Sequence, residues 1–220
     1  MIVVHHLENS RSQRILWLLE ELGLPYEVKR YARDPKTKLA PPELLAVHPL
    51  GKAPVVTDGD IVIAETGAIV DYLVDRYGDG RLIPPAGTDE RRRYTYWLHF
   101  AEGSAMPPRV MKLVFQMIPK ALPFLLRPIG HLIAKGAGDQ FLDPTLAKQI
   151  AFMEAELGRG GWFAADQFTA ADVMMSFPVE TDAARGALKD HPRLTAWLSA
   201  IRARPAYRQA LERGGPYAYA

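Results

Sequence analysis

Near residue 85 the spacing of the apolar residues changes, and it does not change back. Before that point, short apolar runs alternate with single helical faces; beyond it only helical spacing is found. Residues 2–6 read as a short strand. Ile15, Leu18, Leu19 and Leu22 then fall at i, i+3, i+4 and i+7, with Gly23 to close the helix, and residues 25–31 read as a second strand. Two strands joined by a helix predict a right-handed crossover with the strands parallel. A short helix is expected near residues 42–47. Val55-Val56 and Ile61-Val62-Ile63 flank Asp58-Gly59, a two-residue hairpin signal, and Ile69, Tyr72, Leu73 and Tyr77 mark one side of a further helix. The order β-α-β-(α)-β-β-α predicts an α/β layer of mixed strand direction.

The stretch LIPPAGTDE, residues 82–90, has the proline and glycine content of a linker. After it, Tyr94, Trp97, Leu98 and Ala101 repeat at helical spacing, as do Leu146, Ile150, Met153 and Leu157, and again Leu194, Trp197, Leu198 and Ile201. The expected organisation is therefore an α/β domain over residues 1–81, a linker over 82–90 and an all-helical domain over 91–220. With 220 residues, 48% of them hydrophobic, the chain can supply a core to each. Phe168-Thr169-Ala170-Ala171-Asp172-Val173 reads as a helix start, with Thr169 as cap, Asp172 reaching back three residues later and Phe168 packing on Val173.

Composition removes several classes of function. A net charge of +2 gives no push toward nucleic acid or a membrane surface, and Arg91-Arg92-Arg93 reads as the solvated face of a helix. The absence of cysteine excludes disulfides, thiolate metal sites and a cysteine nucleophile. The histidines, His5, His6, His48, His99, His131 and His191, show no metal-binding spacing, and His5 and His6 point to opposite faces of their strand, so no metal is expected. The N-terminal residues lack the basic and long apolar segments of a signal peptide. Residues 110–134 are broken by Lys112, Lys120 and Arg127, short of the ~18 apolar residues that a span requires. A cytoplasmic chain without membrane or nucleic-acid partners is expected.

Three short stretches remain that bear on chemistry. Ser10-Arg11-Ser12-Gln13 has the pattern of a capping box, with Gln13 at the third helical position. The same Ser10 hydroxyl is also placed to meet an anion, such as a thiolate, over the positive end of the helix. In Lys52-Ala53-Pro54 the proline either starts an edge strand or follows a cis bond; if cis, Ala53 would offer its backbone to a peptide-like ligand beside the Lys52 cation. Ala64-Glu65-Thr66-Gly67 reads as a helix start, or as a place where Thr66 meets a ligand carboxylate and Glu65 an ammonium group.

Together with WLHFAEGSAMPP and FTAADVMM, the stretches SRSQRILWLLEELGLPYE, HPLGKAPVV and ETGAIVDYL resemble the glutathione S-transferases over nearly the full length of the chain. The resemblance implies a thioredoxin-like first domain that binds glutathione, a helical second domain that supplies the second-substrate pocket, and a homodimer active in detoxification. It implies that Ser10 donates to the glutathione sulfur, with Ser12 and Asn9 close enough to compete for that role. Lys52 would meet the glycine carboxylate, Ala53 would pair with the cysteinyl backbone, and Glu65 and Thr66 would hold the γ-glutamyl end. Ala53 stands where valine is common in the family and Thr66 where serine is; backbone and hydroxyl, respectively, are retained. No tyrosine lies in residues 2–10 and no cysteine exists, which leaves the serine type.

A thiol with pKa near 8.5 is only a few per cent ionised at neutral pH, and lowering it by about two units takes roughly 2.7 kcal/mol. A hydrogen bond to a charged acceptor contributes about 1.5–3 kcal/mol and a helix N-terminus about 0.3–1, so Ser10 and the dipole suffice without a general base. The expected reaction is thiolate attack on a small apolar electrophile, or on a hydroperoxide oxygen. The methionine-rich stretch from Met106 suits an adaptable pocket, with Met106, Arg109, Met111 and Phe115 as its candidate wall, or else an ordinary helical core. The rival reading is a non-catalytic interaction module of the same fold.

Overall fold

The computed structural model describes residues 1–37 and 39–219. Strand β1 (Ile2–Leu7), helix α1 (Gln13–Leu22) and strand β2 (Tyr26–Tyr31) form the crossover, with β1 and β2 parallel from Ile2↔Tyr26 to Leu7↔Tyr31. Strand β3 (Val55–Asp58) runs antiparallel to β1 on its other side, β4 (Ile61–Ala64) pairs antiparallel with β3, and the sheet order is β2-β1-β3-β4. The hairpin turn is Gly59-Asp60, one residue later than the sequence predicts: Asp58 still pairs with Ile61, and Gly59 takes the positive φ of 59°. Asp58 stays in the strand, where its carboxylate accepts hydrogen bonds from Tyr72 (2.9 Å) and Tyr77 of helix α2 (Thr66–Tyr77).

Helix α1 is apolar on more than one face. Ile15, Leu16, Trp17, Leu18 and Leu19 are all fully buried, because the sheet covers one side and the second domain the other. Trp17 meets Tyr207 edge-on at 5.2 Å, and the buried Arg14 donates to the carbonyl of Met174 (2.7 Å) and to Glu102. Removing such a side chain from water stabilises the fold by roughly 1.5–3 kcal/mol each. One continuous core therefore runs through both halves of the chain.

The second half is helical: α3 (Asp89–Phe100), α4 (Met106–Ala121), α5 (Arg127–Ala137), α6 (Asp143–Leu157), α7 (Ala170–Ala184), α8 (Pro192–Ala203) and α9 (Pro205–Gly214). Helices α3 and α4 join through a wider, π-type turn at Ala101–Ala105. The cause is local. Pro107 and Pro108 bring no N–H, so carbonyls of the preceding turn lose their usual donors. Gln149 donates instead to the Ser104 carbonyl (2.8 Å), and the Arg109 guanidinium adds a bond to that of Ala105 (2.6 Å).

The arginine run is not simply a solvated face. Only Arg92 is exposed; Arg91 donates to the Pro84 carbonyl (3.1 Å), and Arg93 to that of Phe163 (3.0 Å). The start of α7 forms as the sequence predicts, with the Thr169–Asp172 capping box made on both sides. Asp172 also accepts from Phe163 N–H (3.1 Å) and Trp197 Nε1 (3.0 Å), and its complete burial pushes the carboxyl up to about 6. Phe168 lies against Trp17 and Trp162. Among the described residues, no helix is long and apolar enough to cross a membrane.

Candidate functional site

A cavity of about 670 Å³ lies between the two halves, with Ser10, Lys52, Ala53, Glu65, Thr66, Met106 and Arg109 all in its wall. The residues come from four places: the β1–α1 loop, the loop before β3, the start of α2 and the first turns of α4. Chain positions more than fifty residues apart thus converge on one volume, because β1 and β3 are sheet neighbours and their ends open on the same side.

The start of α1 differs from the predicted capping box. Ser12, not Ser10, occupies the N-cap, its side chain caps nothing, and the side-chain amide of Gln13 is buried without a hydrogen-bond partner among the described residues, although its backbone N–H is paired. The amides of Gln13 and Arg14 already pair with the carbonyls of Ser10 (3.4 Å) and Arg11 (3.2 Å). What the helix start offers an anion is therefore its dipole and the Ser10 hydroxyl, with fewer free amides than the sequence suggests. Ser10 is buried to the point of 7% exposure, and its Oγ lies 2.7 Å from Ser12 Oγ and accepts from Ser12 N–H at 3.2 Å. Asn9, beside it, sits at φ 48° and also lines the cavity.

On the facing side, the Ala53-Pro54 peptide bond is cis, and Ala53 contributes to the wall. Lys52 is exposed at the rim, with no hydrogen bond or ion pair among the described residues. Glu65 is held at φ 70°, ψ 124°, a conformation that costs a non-glycine residue about 1–3 kcal/mol and recurs at ligand clamps. Thr66 follows as the first residue of α2, buried apart from the cavity face. Arg11, Arg33, Lys52, Arg109 and Arg185 outnumber Glu65 in the wall, and with Arg11 paired to Glu102 and Arg109 to Asp182 the balance still favours an anionic ligand with one cationic group. Arg11 donates to Glu102 (2.5 Å); burial works against the Glu102 charge, but Arg14 and Arg11 outweigh it and hold its carboxyl below the usual range.

Two predicted wall residues are elsewhere. Met111 and Phe115 do not line the cavity; Val110 and Leu113 do. At about 100° per residue, positions 110 and 113 fall within about 40° of Met106 on the helix, whereas 111 and 115 lie about 140° and 180° away. Met106 itself is in the wall. Arg109 is too, but its guanidinium is committed: it forks onto Asp182 of α7, with Nε to Oδ1 at 3.0 Å and Nη2 to Oδ2, and Nη1 reaches Ala105 and Gln149 (2.7 Å). The expectation that Arg109 orients a substrate substituent is corrected to a buried ion pair that ties α4 to α7. Phe177 and Thr181 of α7, Arg185 just beyond its end and Tyr219 also line the cavity, and no local motif marks them in the sequence. No group of three or more histidine, aspartate or glutamate side chains able to hold a metal ion occurs among the described residues.

A thioredoxin-like sheet layer, a helical second domain and a cavity between them define a two-domain protein with its candidate binding site at the junction. Residues 1–75 match the family described as glutathione S-transferase, N-terminal domain, and residues 106–205 match glutathione S-transferase, C-terminal domain. The chain is 36% identical to glutathione S-transferase 3 of Schizosaccharomyces pombe, an alignment covering 97% of this chain and 88% of that protein. It is 29% identical to glutathione S-transferase 1 of Saccharomyces cerevisiae, covering 97% and 95%. A crystal structure of a glutathione S-transferase from Actinobacillus pleuropneumoniae superposes with a TM-score of 0.83 at 36% identity, covering 99% of this chain and 94% of that one. The chain belongs to the glutathione S-transferase family, and it is a glutathione transferase.

Proposed function

We propose that the cavity binds glutathione with its sulfur over Ser10, and that Ser10 and the α1 dipole stabilise the thiolate for attack on a small apolar electrophile. One observation carries this reading: Ser10, Lys52, Ala53, Glu65 and Thr66 share one cavity wall. Glutathione has two carboxylates, one ammonium group and a peptide backbone. Lys52 is the cation for the glycine carboxylate, Ala53 is the backbone partner for the cysteinyl unit, and Thr66 and Glu65 serve the carboxylate and ammonium of the γ-glutamyl end. The apolar side of the cavity, with Met106, Val110, Leu113 and Phe177, is where the electrophile packs. A hydroperoxide placed there would be reduced by the same thiolate, which gives the site a peroxidase activity as well.

The protein acts as a homodimer in this reading. Val114 and Met117 of α4 and Ile129, Leu132 and Ile133 of α5 are 50–71% exposed, apolar side chains that a second copy of the chain would cover. The test of the catalytic reading is the pKa of the bound thiol, read from ultraviolet thiolate absorbance against pH in wild type and Ser10→Ala. A depressed value that recovers in the variant is expected. A thiol that titrates alike in both proteins would remove Ser10 from the mechanism.

A further inference from the structure

Behind Ser10 stands a second hydroxyl and behind that a buried imidazole. His6 Nδ1 lies 2.9 Å from Ser12 Oγ, which lies 2.7 Å from Ser10 Oγ and 3.3 Å from the Leu7 carbonyl oxygen. His6 and Ser12 are buried, at 3% and 0% exposure, so bulk water does not supply their hydrogen bonds. Burial, and then Arg30 on β2, hold the His6 ring down to about 4, against a hydrogen bond from the ring to the Gly214 carbonyl, so the ring is neutral at physiological pH.

The hydrogens of this chain can be counted. A neutral imidazole carries one N–H, and a carbonyl only accepts. The Leu7 carbonyl, 3.3 Å from Ser12 Oγ, is therefore an acceptor for Ser12 whichever ring nitrogen carries the hydrogen. The Ser12 hydrogen goes to His6 Nδ1 when that nitrogen is bare, and to the Leu7 carbonyl when Nδ1 donates to Ser12. The 2.7 Å contact between the two hydroxyl oxygens is then filled by the hydrogen of Ser10. Both hydroxyl hydrogens are used inside the chain, and Ser10 turns a lone pair to the cavity.

We propose that Ser12, oriented by His6, is a positioning residue that holds the Ser10 hydrogen away from the sulfur, so that Ser10 donates to a thiolate only by giving up its bond to Ser12. This rests on the reading of Ser10 as the thiolate's donor. The bond to a charged sulfur is the stronger of the two, so the hydrogen turns when a thiolate is present. The neutral bond that is surrendered is subtracted from the activation. With the site empty, the arrangement leaves neither buried hydroxyl without a partner; with it full, the same arrangement restrains Ser10. His6 and Ser12 touch no substrate atom in this mechanism.

The prediction has a sign that a supporting role does not share. Ser12→Ala removes the competing acceptor while leaving the backbone N–H that Ser10 accepts from. The pKa of bound glutathione's thiol should fall below the wild-type value, by roughly half a unit to one unit. The experiment titrates that thiol by its ultraviolet absorbance in wild type, Ser10→Ala and Ser12→Ala. If Ser10→Ala raises the value and Ser12→Ala lowers it, the proposal stands. If both raise it, or Ser12→Ala leaves it unchanged, Ser10 remains the donor and the restraint by Ser12 is overturned. If Ser10→Ala has no effect, the donor reading itself falls and the restraint with it.

Discussion

Two helices of this protein begin with nearly the same four-residue pattern, Ser-Arg-Ser-Gln at α1 and Thr-Ala-Ala-Asp at α7, and they begin in opposite ways. At α7 every part of the pattern closes on itself: Asp172 accepts from Thr169, Phe163 and Trp197, and nothing is left to offer a ligand. At α1 the box does not form, the serine two residues later takes the cap position, and Ser10 is set in the wall of a cavity. A helix start that satisfies itself is a folding device. One whose hydroxyl hydrogen is engaged only by a neighbouring hydroxyl can exchange that partner for a ligand.

The largest effect should come from opening the closed start. Asp172→Ala leaves the N–H groups of Phe163 and Thr169 and the indole of Trp197 buried without acceptors, and stability should drop by about 3–5 kcal/mol. Chemical denaturation would show it, and glutathione affinity of the folded fraction should be unchanged. A loss below about 1 kcal/mol would mean that the two starts differ less than their geometry indicates.

Next in size is a contrast in pH dependence. The folded-state pKa of His6 is lowered from 6.5 to about 4, so the unfolded chain takes up its proton first. The stabilisation is present above pH 6.5 and is lost as the pH falls toward 4, up to about 3 kcal/mol. Asp172 is raised to about 6 and behaves in reverse: its contribution becomes more favourable as the pH falls through 6 toward 4, and is lost on the way back up. His6→Phe should therefore flatten the fall in stability between pH 6.5 and 4, and a slope identical to wild type would sink the assignment.

At the open start, Ser10→Ala should reduce kcat/KM for glutathione conjugation about 10- to 100-fold, equivalent to losing one charge-assisted hydrogen bond of about 1.5–3 kcal/mol. Its thermal midpoint should move little, since Ser12 holds the cap position. Smallest of all, Lys52→Met at the exposed rim should weaken glutathione binding only a few-fold, about 0.5–1 kcal/mol, and less at high salt. Calorimetry at two ionic strengths would separate that outcome from a buried contact.

What was legible in the sequence was local. The crossover, the hairpin to within one residue, the α7 box and the residues at the mouths of the strands all depend on neighbours a few positions away. The pattern at α1 does not say whether a cavity lies beside it, so it cannot distinguish a closed box from an open one. Composition marks the methionine-rich stretch but not its turn about the helix axis, which puts Val110 and Leu113 in the wall in place of Met111 and Phe115. Asp182, the partner that consumes Arg109, is 73 residues away in the chain, and no spacing announces it.

The burial of α1 on nearly every side has a consequence for how the molecule comes apart. Eight of its ten residues are buried, and the second domain covers it at Trp17 and Arg14. Stripped of that cover, the first domain would present a tryptophan face and an unpaired arginine to water. Glutathione and electrophile divide their contacts between the two domains, but melting does not: calorimetry should record a single cooperative transition, and a protease cut between α2 and α3 should release no independently folded half.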